Sequence, residues 1–200
     1  MKWKDFLIDY FVKGERKMSL HIDENNILYR YDYYSYSEKS DEISKKVYQT
    51  FKKDYSFYYS EIRDEFVKCF CDFDWKREDW EHTCITIFPS HEAEHYSTTM
   101  ERFAGDICNI FGALNYSGLL ERYITHEKST YGGERSVFSH TSTIKLRTKV
   151  DFSKMSSVIV LDDITTSGSS LLAAKEILRK THIDPKYINL IAIAKTKHDY

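Results

Sequence analysis

The sequence predicts an α/β fold: a Rossmann-like parallel sheet flanked by helices, with an α+β extension at the N-terminus. Two observations carry this. From residue 84 onward, short apolar runs alternate with helical patterns, the layout of a parallel sheet wrapped by helices. Two of those runs, 158–161 and 190–194, are almost continuously apolar, which suits central strands covered on both faces. The 200-residue chain is long enough for one domain with an appendage. The division expected is an extension or hood over residues 1–80 and a core over residues 81–200.

Taken in order, "MKWKDFLIDYFVKGERK" mixes aromatics with acids and has no long apolar run, so neither a signal peptide nor a membrane span is expected. The location expected is cytoplasmic. "MSLHIDENNILYRYDYY" reads as a hairpin, with Ile22 before the Asp-Glu-Asn-Asn turn and Ile27, Tyr29 and Tyr31 alternating after it. Ile43, Val47 and Phe51 are four apart and predict an amphipathic helix, with Ser40 as its N-cap. A second helix is expected over roughly 55–70, carrying Tyr59, Ile62, Phe66 and Phe70 on one face. "CITIFPS" is a strand ending in Pro-Ser, and Met100, Phe103, Ile107, Phe111 and Leu114 form a helical stripe. "LLERYIT" has strand character. Residues 126–143 are polar, contain Gly132-Gly133, and read as a long loop of the kind that forms lids. Residues 158–163 are a strand, 170–179 a helix, and "INLIAIAKT" the last strand.

Hydrophobic residues make up 42% and charged residues 30%, which suits a packed core. A net charge of −2 gives no global attraction to nucleic acid or an anionic membrane, so any anionic ligand must be held by local groups. Cys69, Cys71, Cys84 and Cys108 include no pair at zinc-finger spacing and read as reduced, buried thiols. The tyrosines crowd the first 60 residues, and "YRYDYYSY" is a candidate interface for a protein partner, with core packing as the other reading. The oligomeric state, monomer or homo-oligomer, is left open.

The chemistry concentrates in "SSVIVLDDITTSGSSLLAAKEIL". Ligands of doubly wound sheets sit beyond the carboxyl ends of strands, where Asp162 and Asp163 fall. The loop behind them enters a helix at its N-terminus, where backbone N–H groups are unpaired and the helix dipole is positive. Gly168 lets the chain bend, and Thr166, Ser167, Ser169 and Ser170 add hydroxyl donors. Such a loop cradles a phosphate without Lys or Arg. The carboxylates are acceptors for hydroxyls beside that phosphate, as on a ribose ring. There is no G-x-x-x-x-G-K-[ST] and no alternating D-x-D, so neither a Walker-type NTPase nor an aspartyl-phosphate phosphatase is expected.

"VIVLDDITTSGSSL" resembles the phosphoribosyl-pyrophosphate (PRPP) motif of type I phosphoribosyltransferases, without a gap. Ser167 and Ser170 stand where Thr is common. Residues 84–197 are most similar to the ComF-type branch, whose members are linked to bacterial DNA uptake. The zinc ribbon usual at that branch's N-terminus has no counterpart in these residues. The resemblance implies the type I phosphoribosyltransferase fold. It implies that Asp162 and Asp163 hold the ribose hydroxyls, and through them or water a Mg²⁺ ion, and that residues Thr165 to Ser170 wrap the 5-phosphate. It places a pyrophosphate loop at Pro89, Ser90 and His91, and a catalytic loop at 126–143, where Arg135 and Lys128 would neutralise the leaving group. The function expected is pentosyl transfer from PRPP to an unidentified acceptor, with pyrophosphate released. The alternative is a PRPP- or nucleotide-binding regulatory module that does not turn over.

Overall fold

The computed structural model describes residues 20–35, 41–73, 75–125, 136–147 and 150–197. They form a mixed α/β structure around a six-stranded, mostly parallel sheet. Its strands are β1 (His21–Ile22), β2 (Leu28–Tyr33), β3 (Thr83–Ile87), β4 (Leu114–Asn115), β7 (Ser157–Thr165) and β8 (Ile188–Thr196), in the order β1-β2-β8-β7-β3-β4. Within that sheet, among the described residues, only β1 and β2 pair antiparallel. The remaining strands, β5 (Leu120–Arg122) and β6 (Ile144–Leu146), form a separate antiparallel pair.

The two apolar runs behave as their composition dictates. Ile159 and Leu161 of β7, with Ile191 and Ile193 of β8, face one aromatic cluster. That cluster is completed by α1 (Glu42–Lys52), α2 (Tyr59–Cys71) and α4 (Thr98–Phe111), which contribute Phe51, Phe66, Phe70, Phe103 and Phe111. Val158 and Val160 face the other side, against Leu171, Ala174, Ile177 and Leu178 of α6 (Ser169–Leu178). A strand covered on both faces has no polar side to show, hence the unbroken runs.

The N-terminal hairpin forms, and its second strand joins the main sheet beside β8. The boundary expected at residue 80 falls near the end of the short helix α3 (Arg77–Glu81). Residues on both sides of it share one sheet and one aromatic cluster. Tyr29, Tyr31 and Tyr33 of β2 are buried in the fold.

Several local expectations need correction. Asp41 caps α1, its carboxylate accepting the Ser44 amide, while Ser40 lies outside the described residues. The second helix begins at Tyr59, after a 3-10 turn over Ser56–Tyr58. The helix over 98–111 ends at Gly112, at φ 77°, which frees Leu114 to start β4. The polar stretch read as a loop to residue 143 contains a short helix, α5 (Val137–Thr141), capped by Ser136, and leads into β6. All four cysteines are free, and burial pushes the Cys69, Cys84 and Cys108 thiols up, keeping them protonated. Among the described residues, no helix is long and apolar enough to cross a membrane.

One buried charge ties the hairpin turn to the end of β8. Lys195 is 8% exposed. Its Nζ lies 2.6 Å from Asp23 Oδ2 and 3.2 Å from Glu24 Oε2. Asp23 Oδ1 also accepts the amides of Asn25 and Ile27, which shapes the turn. Burial opposes the charge on Asp23, but the Lys195 hydrogen bond and the turn amides outweigh it and hold the carboxyl below its usual range. Lys195→Met leaves that carboxylate uncompensated, and urea unfolding is expected to show a loss of about 3 kcal/mol at neutral pH. A depressed carboxyl stabilises above its unfolded pKa, so this difference shrinks as pH falls through the carboxylate range. Equal unfolding midpoints at neutral pH would mean that the pair does not hold the turn.

Candidate functional site

The site lies toward the carboxyl ends of the parallel strands. β7 continues two residues past the acidic pair, so Thr165 is a buried strand residue rather than part of an open loop. The turn itself is Thr166, Ser167 and Gly168, and Ser169 and Ser170 belong to the first turn of α6. Gly168 has φ 78°, the left-handed region that favours glycine. It sits where α6 begins, and no described side chain caps that helix. The first-turn amides therefore face outward from an uncapped positive end.

Hydroxyl groups hold this turn in shape. Ser167 Oγ and Ser169 Oγ are 2.7 Å apart, and Thr166 Oγ1 lies 3.1 Å from Thr196 Oγ1 at the end of β8. Ser170 does something other than expected. Its hydroxyl donates to Asp162 Oδ2 at 2.7 Å, so it is bound to the carboxylate rather than turned toward the phosphate cradle.

The acidic pair is well furnished. Asp162 Oδ1 accepts the Asp163 amide at 2.9 Å, and Asp163 Oδ1 accepts the Ile164 amide at 2.6 Å. Asp163 Oδ2 meets Lys52 Nζ, from the last turn of α1, at 2.6 Å. Burial, and then the charge of Asp163, push the Asp162 carboxyl well above its ordinary value. Partial desolvation opposes the charge on Lys52, whose side chain keeps 45% of its exposure, but the charge and hydrogen bond of Asp163 prevail and hold its ammonium above the usual lysine value.

The proline-serine turn lands beside this pair because β3 and β7 are neighbours. Ile87 is in register with Leu161, and the Phe88 amide donates to the Leu161 carbonyl at 2.8 Å. The end of β3 therefore delivers Pro89, Ser90 and His91 next to Asp162. The Ser90 amide donates to the His95 carbonyl, and the Ser90 hydroxyl is engaged at Glu92 within the turn. His91 Nε2 is 3.4 Å from Glu92 Oε1, an ion pair when the ring is protonated.

The turn carries no Lys or Arg of its own, but an arginine from elsewhere serves it. Arg122, on β5, is 1% exposed. Its Nε donates to the Ser90 carbonyl at 2.5 Å and its Nη1 to Thr143 Oγ1 at 2.6 Å, and its guanidinium lies 5.7 Å from the centre of the Phe88 ring. Burial pulls its pKa down to about 10, against the opposing charge of Asp162, so it is a cation at neutral pH. No ion pair to a carboxylate holds it among the described residues. The one sequence signal was the alternation in "LLERYIT": Leu120 and Arg122 share the buried side of β5, with Glu121 between them.

Arg135 and Lys128, expected in a catalytic loop, lie outside the described residues. His140 sits on α5, with its ring edge-on to Phe88 at 5.4 Å.

The acidic pair can accept hydroxyl groups, the Gly168 turn and the α6 terminus can accept an anion, and Arg122, from the separate β5–β6 pair, places a buried cation at the Ser90 turn. Comparison with known families finds no matching family model, and comparison with curated proteins finds no relative.

Proposed function

We propose that the chain has the type I phosphoribosyltransferase fold and binds PRPP, transferring its phosphoribosyl group to an acceptor with release of pyrophosphate. The observation that carries this reading is the continuity of one segment: carboxylates on β7, Gly168 in the left-handed conformation, and the uncapped start of α6. Thr166 to Ser169, with the α6 amides, would take the 5-phosphate. Asp162 and Asp163 would accept the ribose hydroxyls, which orients C1 toward its leaving group. In the transfer, the C1–oxygen bond to pyrophosphate breaks and its electron pair leaves with that oxygen. The acceptor's lone pair then forms the new bond to C1. Positive charge develops on the ribose ring, and the nearby carboxylates stabilise it.

The donor set suits Mg²⁺ held through substrate oxygens. Among the described residues, no group of three or more His, Cys, Asp or Glu side chains gathers to hold an ion directly. Asp162 and Asp163 would reach it through ribose hydroxyls or water, and the bound ion would offset charge on the departing pyrophosphate.

Arg122 is assigned to the pyrophosphate side, through its bond to the Ser90 carbonyl. Arg122→Met is expected to weaken PRPP roughly tenfold or more, the scale of one lost charge-assisted contact, while leaving ribose 5-phosphate affinity unchanged. Calorimetry with both ligands tests this and the site together. Failure of the parent protein to bind either ligand rejects the proposal. Equal losses for both ligands would move Arg122 off the pyrophosphate.

The internal bonding of the Ser90 turn favours a second reading, a PRPP-binding module without turnover. A pyrophosphate-release assay across a panel of nucleobases separates the two.

A further inference from the structure

We infer that Lys52 is the resident counter-ion of the acidic pair, so that the site takes a sugar phosphate without a divalent cation bound directly to its carboxylates. This rests on the sugar-phosphate reading above and goes beyond it, by saying what balances the charge.

All four carboxylate oxygens are already engaged. Asp162 accepts from Ser170 Oγ and the Asp163 amide, and Asp163 accepts from the Ile164 amide and lies against Lys52 Nζ. An ion binding Asp163 directly would meet an ammonium 2.6 Å from the same oxygen. Lys52 offsets the Asp163 charge directly, and the burial that pushes the Asp162 carboxyl up disfavours a second full negative charge beside it. A phosphate dianion arriving at the Gly168 turn therefore meets a carboxylate already paired with an ammonium instead of two uncompensated carboxylates. The Asp163 carboxylate is mostly shielded from solvent, which limits screening of its charge. Lys52 comes from α1, so a segment that precedes the whole strand–helix alternation completes the charge of the site.

Lys52 touches no reacting atom in this scheme. It acts through Asp163 and is a positioning residue, so metal dependence is the readout a merely structural role would not move. Ribose 5-phosphate is the probe, because it lacks the pyrophosphate through which Mg²⁺ would otherwise help. Calorimetry is run with Mg²⁺ and with EDTA on the parent, Lys52→Met and Lys52→Arg, each checked for folding by circular dichroism. The parent should bind equally in both conditions. Lys52→Met should lose roughly tenfold or more in EDTA, and Mg²⁺ should restore part of it. Lys52→Arg should behave as the parent does.

A parent that loses tenfold in EDTA overturns the inference and leaves the sugar-phosphate reading standing. So does a folded Lys52→Met protein that binds like the parent in EDTA, or whose deficit Mg²⁺ leaves untouched. If Lys52→Met does not fold, the parent and Lys52→Arg decide: both must bind equally in EDTA and in Mg²⁺. A parent that binds in neither condition removes the reading and the inference together.

Discussion

The Gly168→Val protein is expected to bind no measurable ribose 5-phosphate, while Ser169→Ala weakens binding by at most about tenfold. At φ 78° a β-branched residue is strongly disfavoured. Space is lacking as well: a β-carbon at position 168 would lie 2.3 Å from Ile27 Cδ1, and Ile27 is fully buried under the turn. The turn must shift, and the amides of the α6 terminus shift with it. Ser169→Ala deletes one neutral hydrogen-bonding group, about 0.5–1.5 kcal/mol. Gly168→Ala paired with Ile27→Ala relieves the collision but keeps the strain at φ, and should fall between the two. Affinities measured on folded variants decide it. Were Ser169→Ala the worse lesion, side chains would hold the anion and the backbone cradle would be refuted.

The second large effect is expected from Asp162→Asn combined with Asp163→Asn, which should abolish PRPP binding and leave the fold intact. Each charge-assisted hydrogen bond to a ribose hydroxyl contributes about 1.5–3 kcal/mol. The amides also withdraw negative charge from beside the developing cation at C1. Survival of the fold follows from burial. The Asp162 carboxyl is pushed up because the chain removes it from water, so a neutral amide is easier to accommodate there. Circular dichroism should show native structure and calorimetry no heat with PRPP. Unchanged affinity in the folded double variant would dismiss the pair as the ribose clamp.

The parts of the fold that were legible are those in which one physical demand dominates. Burial on both faces wrote β7 and β8 as continuous apolar runs, and the bend into α6 required Gly168. What was not legible depends on partners far away in sequence. Thr165 looks like a loop hydroxyl until β8 supplies Lys195 as its ladder partner. Lys52 reads as a basic residue favouring a helix C-terminus, and only the packing of α1 beside the sheet reveals Asp163 as its partner. Ser170 looks like a phosphate ligand until α6 turns its hydroxyl back onto Asp162. In α5 and β6 the apolar positions are too few to establish a period, and capping by Ser136 does the work that composition does not announce.

The placement of β8 between β2 and β7 has a consequence for the growing polypeptide. β2 is made well before its parallel partner, which spans residues 188–196. Until that segment emerges, the hairpin offers an unpaired edge rich in tyrosine, with its apolar face uncovered. The pairing that closes the sheet is thus among the most distant in the sequence, and distant parallel pairing is slow. From the synthesis of β2 until β8 emerges, that edge stays open, the state in which off-pathway association and chaperone capture compete with folding.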